Sequence, residues 1–157
     1  MTTPRAVTPT AVALVFVGGT IGTATRAGLT ALSTPFVAQP VSTLLINVIG
    51  AFLLGLLLEY LSLRPVLSRR NNDLKFLLGT GVLGGFTTYS ALAVDTTMLI
   101  GHAPAVLGHA PTVLGLAPVV LVAGYALGTL ILGAVATAAG ILLASTLSRH
   151  RLSLYGR

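Results

Sequence analysis

The side chains that could do chemistry in this chain are mostly neutral hydrogen-bond donors set in apolar sequence. They are Asn47, Tyr125, Thr129 and the hydroxyl run at 87–90, which reads Thr-Thr-Tyr-Ser. With three acids, three histidines and no cysteine, the chain has little capacity for acid–base catalysis and none for disulfides, so we do not expect an enzyme. A donor-rich set suits a small, strongly hydrated anion, whose water must be replaced by N–H and O–H donors and by the positive edges of aromatic rings.

The hydroxyl run belongs to a segment, GTGVLGGFTTYSAL at 79–92, which carries four glycines and no charge. Glycine costs about 0.8 to 1 kcal/mol against alanine inside a helix, and Gly84 and Gly85 are adjacent. Backbone breaks at membrane depth persist only where the freed groups face protein, water or an ion, so one interpretation is a helix broken over 84–88 that lines a site. The other is that small residues, as in Gly81-xxx-Gly85, let helices pack closely.

A broken helix at this point would present backbone carbonyls as well as donors. The carbonyls of Gly84 and Thr87 could hold one structural alkali cation, and its charge would favour anions nearby. A cation-transporting site would instead require carboxylates inside the spans. Only Glu59 and Asp95 approach that position, and both are expected at span ends, so we predict no buried acid.

Asn47, Tyr125 and Arg26 each allow two interpretations. An unpartnered amide in hydrocarbon costs roughly 2 to 7 kcal/mol, so Asn47 either joins helices or offers donors to a polar solute. Tyr125 shares a helix face with Thr129 and either packs or lines the path of such a solute. Arg26 is the one base set apart from the other basic residues, and it either snorkels to the interface or attracts anions to a vestibule.

These residues must be positioned by helices that cross a membrane. Of the 157 residues, 54% are hydrophobic, and the mean hydropathy is +0.95. Both values are typical of a membrane protein, and the length leaves no room for a second domain. Apolar stretches predict four spans, at about 10–29, 41–61, 74–100 and 118–147. The predicted fold class is therefore an all-α membrane protein with four transmembrane helices.

Between the third and fourth spans the chain repeats a unit of seven residues. The three copies are GHAPAVL, GHAPTVL and GLAPVVL, at 101–121. Each copy holds a proline, which removes a helical hydrogen bond. We therefore expect a connector that is not a regular helix, with the last copy leading into the fourth span.

The basic residues are distributed unevenly over the two sides that four spans define. The side that holds both termini and the second loop carries eight, whereas the other side has only Arg26. The eight are Arg5, Arg64, Arg69, Arg70, Lys75, Arg149, Arg151 and Arg157. By the positive-inside rule, both termini are predicted to be cytoplasmic, with the protein in the plasma membrane, the inner membrane of a bacterial-type cell. The net charge of +6 thus reflects topology, and nucleic acid is not an expected partner.

Four motifs together resemble the Fluc (CrcB) fluoride channel family. They are GGTIGTATR at 18–26, TLLINVIGAFLLG at 43–55, GVLGGFTTYSAL at 81–92 and GYALGTLILG at 124–133. The similarity covers all four spans in order, and the third-span signature together with Asn47 is specific. The resemblance implies a fluoride-selective channel that exports fluoride passively and so lowers its cytoplasmic concentration.

The same resemblance assigns roles to individual residues. It implies an antiparallel assembly of two subunits with two narrow fluoride pores and a central sodium ion, for which Gly84 and Thr87 look like the carbonyl ligands. Asn47 looks like the pore amide and Arg26 like the vestibule arginine. The other positions that look like parts of the pore are Thr88, Tyr89, Ser90, Tyr125 and Thr129.

The third span departs from the family pattern, which usually reads TTFSTF where this chain has TTYSAL. Tyr89 keeps an aromatic ring edge and adds a hydroxyl, whereas Leu92 has no ring and Ala91 lacks a hydroxyl. The pore that uses Leu92 is therefore expected to be altered. Moreover, a self-pairing antiparallel dimer requires a weak charge bias, because its subunits insert both ways, and eight against one is strong. We therefore expect a heterodimer with a homologous subunit of opposite orientation; a homodimer with unusual pores is the alternative.

Two other functions compete with a conducting subunit. A small four-span multidrug exporter would require an embedded carboxylate in an early span, and 10–29 has none. A non-conducting or half-conducting partner subunit of a heterodimeric fluoride channel would account for Leu92. No P-loop or other phosphate cradle is visible in the sequence, so no nucleotide is expected to drive transport.

Overall fold

The computed structural model describes residues 8–33, 35–63, 69–107 and 116–155. Within these ranges the chain forms six α-helices and one π-helix. In chain order they are α1 (Pro9–Ser33), α2 (Gln39–Ser62), α3 (Arg69–Leu74), the π-helix (Lys75–Leu83), α4 (Gly84–Phe86), α5 (Tyr89–Leu107) and α6 (Leu116–Tyr155).

Four helical stretches are long and apolar enough to cross a membrane. They are Pro9–Ser33, Gln39–Ser62, Arg70–Leu99 and Val119–Ser148. The prediction of an all-α protein with four helices able to span a membrane is therefore confirmed. The third of these stretches contains most of α3, the π-helix, α4 and the first part of α5, and we call it the third span.

Local sequence explains where α1 and α2 begin. Thr8 precedes Pro9, and its Oγ1 accepts a hydrogen bond from the Ala11 N–H at 3.3 Å. A hydroxyl acceptor before the first turn and a proline at its first position together favour a helix start. α2 likewise has Pro40 in its first turn, where a missing N–H removes no helical bond.

Glycines bring α1 and the third span into backbone contact. A Cβ added at Gly22 would lie 2.9 Å from the Phe86 nitrogen, and one added at Gly81 would lie 2.9 Å from the Gly18 Cα. Because a side chain at these positions would collide with backbone, the close approach requires glycine. The structure therefore contains the close contact between helices that the small residues Gly81 and Gly85 were interpreted to allow. α2 packs along α6 in the same bundle, and α5 also contacts α6.

The backbone of the third span is not uniformly α-helical. Its π-helix extends over nine residues, Lys75–Leu83, and π-helices are rare and are concentrated at functional sites. α4 ends at Phe86, and Thr87 has φ −79° and ψ 152°, in the extended region. α5 begins at Tyr89. We call Thr87 and Thr88 the interruption.

The seven-residue repeat differs from the expectation. α5 continues to Leu107 and thus includes the first copy with Pro104, while α6 begins at Leu116 in the third copy. The second copy, at 108–114, lies outside the described residues. The prediction of a non-helical connector is therefore wrong for the first copy. Pro104 lies in the last turn of α5, so it removes one bond and leaves the preceding turns intact, and Pro118 lies in the first turn of α6, where a missing N–H removes no helical bond.

Candidate functional site

Asn47, near the middle of α2, forms a two-point contact with the backbone of Thr88. The Thr88 N–H donates to Asn47 Oδ1 at 2.8 Å, and Asn47 Nδ2 donates to the Thr88 carbonyl at 3.1 Å. Gly50, one turn further along α2, allows α2 and the third span to approach each other, because a Cβ there would lie 3.1 Å from Phe86 Cδ1. Asn47 therefore joins α2 to the third span. The amide nitrogen carries two protons, so one N–H is left over from this contact.

The contact with Asn47 changes the backbone bonding around the interruption. In a continuous α-helix the Thr88 N–H would donate to the carbonyl of Gly84, four residues earlier, but here it donates to Asn47. Similarly, the Ala91 N–H donates to Thr88 Oγ1 at 3.2 Å, which makes Thr88 the N-cap of α5. The carbonyls of Gly84 and Thr87 thus both lose their usual helical donors.

These two carbonyls are the pair that the sequence assigned to an alkali cation. Backbone carbonyl oxygens are the ligands with which ion-selective proteins replace the water of such cations. Nowhere in the described part of the chain do three acidic, histidine or cysteine side chains cluster as they do at a side-chain metal site. The carbonyls of Gly84 and Thr87, which have lost their helical donors, are ligands of the chemical kind that suits an alkali cation.

The polar side chains that follow the interruption point away from the interior of the subunit. Tyr89 is 78% exposed, and Ser90 is exposed as well. Ser90 Oγ lies 3.0 Å from Thr88 Oγ1, so the two hydroxyls form a pair on this surface. Gly84 is also exposed. Polar groups within a membrane span favour contact with protein, water or an ion over contact with lipid.

Tyr125 belongs to a second polar cluster, close to the start of α2. Its hydroxyl lies 2.9 Å from the Pro40 carbonyl oxygen and 3.3 Å from Asp95 Oδ2. Gln39 Nε2 donates to Asp95 Oδ1 at 3.1 Å. One turn deeper, Thr129 is 4% exposed, and its hydroxyl donates to the Tyr125 carbonyl at 2.8 Å. The hydroxyls of Tyr125 and Thr129 thus both have partners within the subunit.

The prediction that the spans hold no buried acid is wrong, because Asp95 is 1% exposed. From the sequence it was placed at the end of a span, and the third membrane-length stretch ends at Leu99. The α5 helix itself runs from Tyr89 to Leu107, so Asp95 lies nearly two turns from its start and about three turns from its end. Gln39 and the burial of Asp95 were missed in the sequence analysis, and the available signal was an acid within an apolar span, since such a group requires a partner.

Arg26, on α1, contacts α4, the short helix that precedes the interruption. Its Nε donates to the Gly85 carbonyl at 3.4 Å, and so does Thr23 Oγ1 at the same distance. Leu92, the position where the family pattern has a ring, is 5% exposed and lies inside the subunit. The candidate residues therefore form three groups: Asn47 with the interruption, Tyr125 with Asp95, and Arg26 with Gly85.

Residues 13–141 of the chain match the family described as CrcB-like protein, Camphor Resistance (CrcB). The chain is 45% identical over 138 residues to the fluoride-specific ion channel FluC 2 of Leifsonia xyli, which covers 88% of this chain and 86% of that protein. It is 44% identical over 91 residues to the fluoride-specific ion channel FluC 1 of Mycobacterium bovis, covering 57% and 67% of the two chains. The fluoride-specific ion channel FluC of Thermus thermophilus is 44% identical over 89 residues, covering 55% and 68%.

Proposed function

This chain belongs to the CrcB family, and from that premise we propose that it is a fluoride-specific channel subunit. Fluoride crosses the membrane passively, down its electrochemical gradient, and the channel lowers the cytoplasmic concentration of the ion. The observation that carries this proposal is the polar surface beside the interruption, where Tyr89 and Ser90 are exposed in an apolar span and the half-buried Thr88 pairs with Ser90. Transport of this kind is not an enzymatic reaction.

In the proposed mechanism the interruption is a functional break of the third span that lines the fluoride path. Fluoride is small and strongly hydrated, so its water must be replaced by protein donors as it passes. The remaining N–H of Asn47, the hydroxyls of Thr88 and Ser90 and the positive ring edge of Tyr89 supply such groups. Tyr125 and Thr129 line the same path further along. To bind the ion there, the hydroxyl of Tyr125 or Thr129 must give up the backbone carbonyl to which it donates within the subunit.

A central sodium ion is a further part of the proposal. The carbonyls of Gly84 and Thr87 would hold it, and this is supported by the loss of their helical donors to Asn47 and Thr88. When bound, such an ion supplies a fixed positive charge that favours an anion nearby. The protein supplies the rigid backbone that keeps the two oxygens in place.

A second subunit completes the site in this proposal. Tyr89 and Ser90 would otherwise face lipid, and the exposed Gly84 would leave a carbonyl there without a donor. The charge distribution favours a homologous partner inserted in the opposite orientation, because eight basic residues on one side and one on the other fix this chain with both termini in the cytoplasm of the cell. The complex is then an antiparallel heterodimer in the plasma membrane.

Fluoride efflux from liposomes tests the function and the assembly together. Three preparations are compared with empty liposomes: this chain alone, a homologous four-span subunit of opposite charge bias from the same genome, and both subunits together. Efflux of fluoride, followed with an electrode, is expected from the combined preparation only. If this chain alone conducts normally, the proposal of a heterodimer is wrong, whereas the proposal of a fluoride channel is supported. If the combined preparation leaks no more fluoride than empty liposomes, the channel itself is wrong.

The second candidate is a partner subunit that does not conduct, and the position of Leu92 favours it. An aliphatic side chain that is 5% exposed offers no ring edge to an ion. Asn47→Asp in this chain, combined with an unaltered partner, separates the two candidates. Unchanged efflux supports the scaffold, whereas reduced efflux from a complex that still assembles in normal amount supports a pore that uses this chain. With the family established, no observation supports the multidrug exporter.

A further inference from the structure

Arg26 and Thr23 reach from α1 to the same backbone atom, the carbonyl oxygen of Gly85. The Arg26 Nε and the Thr23 Oγ1 each lie 3.4 Å from it. The two side chains are three residues apart in α1 and therefore share one helix face. The backbones meet at the same place, since a Cβ added at Gly85 would lie 3.1 Å from the Gly19 Cα. Two donors thus converge on one carbonyl just before the interruption.

The Gly85 carbonyl requires donors from outside its own helix for a physical reason. α4 ends at Phe86, and the last carbonyls of a helical segment lack partners and carry partial negative charge. At membrane depth no water is present to satisfy them. A guanidinium is well suited to this position, because it combines a hydrogen-bond donor with a positive charge at the negative end of the segment.

We propose that Arg26, assisted by Thr23, is a positioning residue that holds the Gly85 carbonyl against α1 and so maintains the backbone conformation in which the carbonyls of Gly84 and Thr87 can bind sodium. The link to sodium rests on the proposed function, whereas the restraint on Gly85 does not. This role differs from that of a vestibule arginine, which acts on anions through its charge alone.

The two roles predict different orders of effect among substitutions of Arg26. If the side chain acts by donating a hydrogen bond, Arg26→Gln and Arg26→Lys retain part of its function, because both can donate, and Arg26→Met retains none. If it acts by its charge, Arg26→Lys behaves like the unsubstituted protein, while Arg26→Gln and Arg26→Met are equally impaired. In the second case the impairment also depends on ionic strength, since salt screens long-range attraction.

The test uses the complete channel, this chain together with its partner, in lipid nanodiscs. Hydrogen exchange of the backbone amides is measured over the peptide that contains 84–91, and the sodium concentration that gives half of the maximal thermal stabilisation is measured alongside. In Arg26→Met we expect exchange to be about tenfold faster and the sodium concentration about tenfold higher, the size expected for losing a hydrogen bond to a charged group. Arg26→Gln is expected to lie between the two, and Thr23→Val to show a smaller change in the same direction.

Thr25→Val is the matched control, because the Thr25 hydroxyl donates within its own helix to the Ile21 carbonyl at 2.9 Å. It is expected to leave both measurements unchanged.

If exchange and sodium response in Arg26→Met equal those of the unsubstituted channel, the proposal is overturned. It is also overturned if Arg26→Gln matches Arg26→Met and only fluoride flux at low ionic strength is reduced. Should Arg26→Met fail to assemble, Thr23→Val decides the question, and should the unsubstituted complex fail to conduct, the exchange measurement still decides the role of Arg26.

Discussion

Asn47 and Thr88 exchange two hydrogen bonds between α2 and the third span, with N···O distances of 2.8 and 3.1 Å. One side-chain amide here takes the place of the helical partner of the Thr88 N–H and adds a donor to the Thr88 carbonyl. Because the Thr88 N–H is used in this way, the Gly84 carbonyl loses its helical donor. The joining of two helices and the preparation of an ion site are therefore two consequences of the same contact.

The first prediction follows from what a carboxylate cannot do at this position. Asn47→Asp keeps an acceptor for the Thr88 N–H, but an ionised carboxylate has no proton to donate to the Thr88 carbonyl or to an anion. We expect fluoride flux through the complex to be abolished and the free energy of unfolding to fall by about 1 to 3 kcal/mol. Fluoride efflux from liposomes and thermal unfolding measure the two effects.

Asn72→Asp is the control for this substitution, since Asn72 is exposed on α3, outside the site. It makes the same chemical change and is expected to leave flux and stability as they were. Normal flux in Asn47→Asp would remove Asn47 from the fluoride path.

The second prediction concerns the contact between α1 and the third span. In Gly22→Ala the added methyl group would lie 2.9 Å from the Phe86 nitrogen, which cannot move without shifting α4. Such overpacking typically costs about 1 to 3 kcal/mol in the free energy of unfolding. Gly19→Ala, one turn earlier in α1, meets nothing within 4 Å. Thermal unfolding of the two variants should therefore separate them, and equal melting temperatures would contradict the backbone contact.

The third prediction concerns the buried carboxyl group of Asp95. In Asp95→Ala, the Gln39 amide and the Tyr125 hydroxyl lose the oxygens that they contact at 3.1 and 3.3 Å. The Tyr125 hydroxyl keeps the Pro40 carbonyl as a partner at 2.9 Å and Gln39 is exposed, so the cost comes from losing the hydrogen bonds to the buried carboxyl group, about 1 to 3 kcal/mol in the free energy of unfolding. Asp95→Asn keeps one oxygen and the shape, so a smaller loss is expected. Asp73→Ala, at a position on α3 that is only partly buried, is the control in thermal unfolding. A loss no larger than that of Asp73→Ala would contradict a structural role for Asp95.

The helices could be predicted from the sequence because apolar stretches of sufficient length have few alternatives in a membrane. The end of α5 could not, since Pro104 was treated as a helix breaker, although a proline in the last turn removes only one hydrogen bond. The burial of Asp95 could not be predicted either, because its partners Gln39 and Tyr125 lie 56 and 30 positions away in sequence.

The candidate site was predictable in its residue types and less so in its contacts. The special character of 84–88 follows from adjacent glycines and hydroxyls, which are unusual in a span. The partners of Asn47 and Arg26 could not be predicted, because they lie 41 and 59 positions away in sequence. No local sequence pattern extends over such a separation. The sequence left Asn47 with two possible roles for this reason.

The last prediction tests whether the exposed ring of Tyr89 contacts the ion. Tyr89→Phe keeps the ring and its positive edge and removes only the hydroxyl, so fluoride flux through the complex should stay close to normal. Tyr89→Ile removes the ring, and flux should fall about fivefold if the edge contributes about 1 kcal/mol. Phe16→Ile is the matched control, because Phe16 is a 74% exposed ring on α1 away from the interruption. Equal flux in Tyr89→Ile and Tyr89→Phe would show that the ring only fills the contact with the second subunit, since a packing role requires apolar volume and not an aromatic edge.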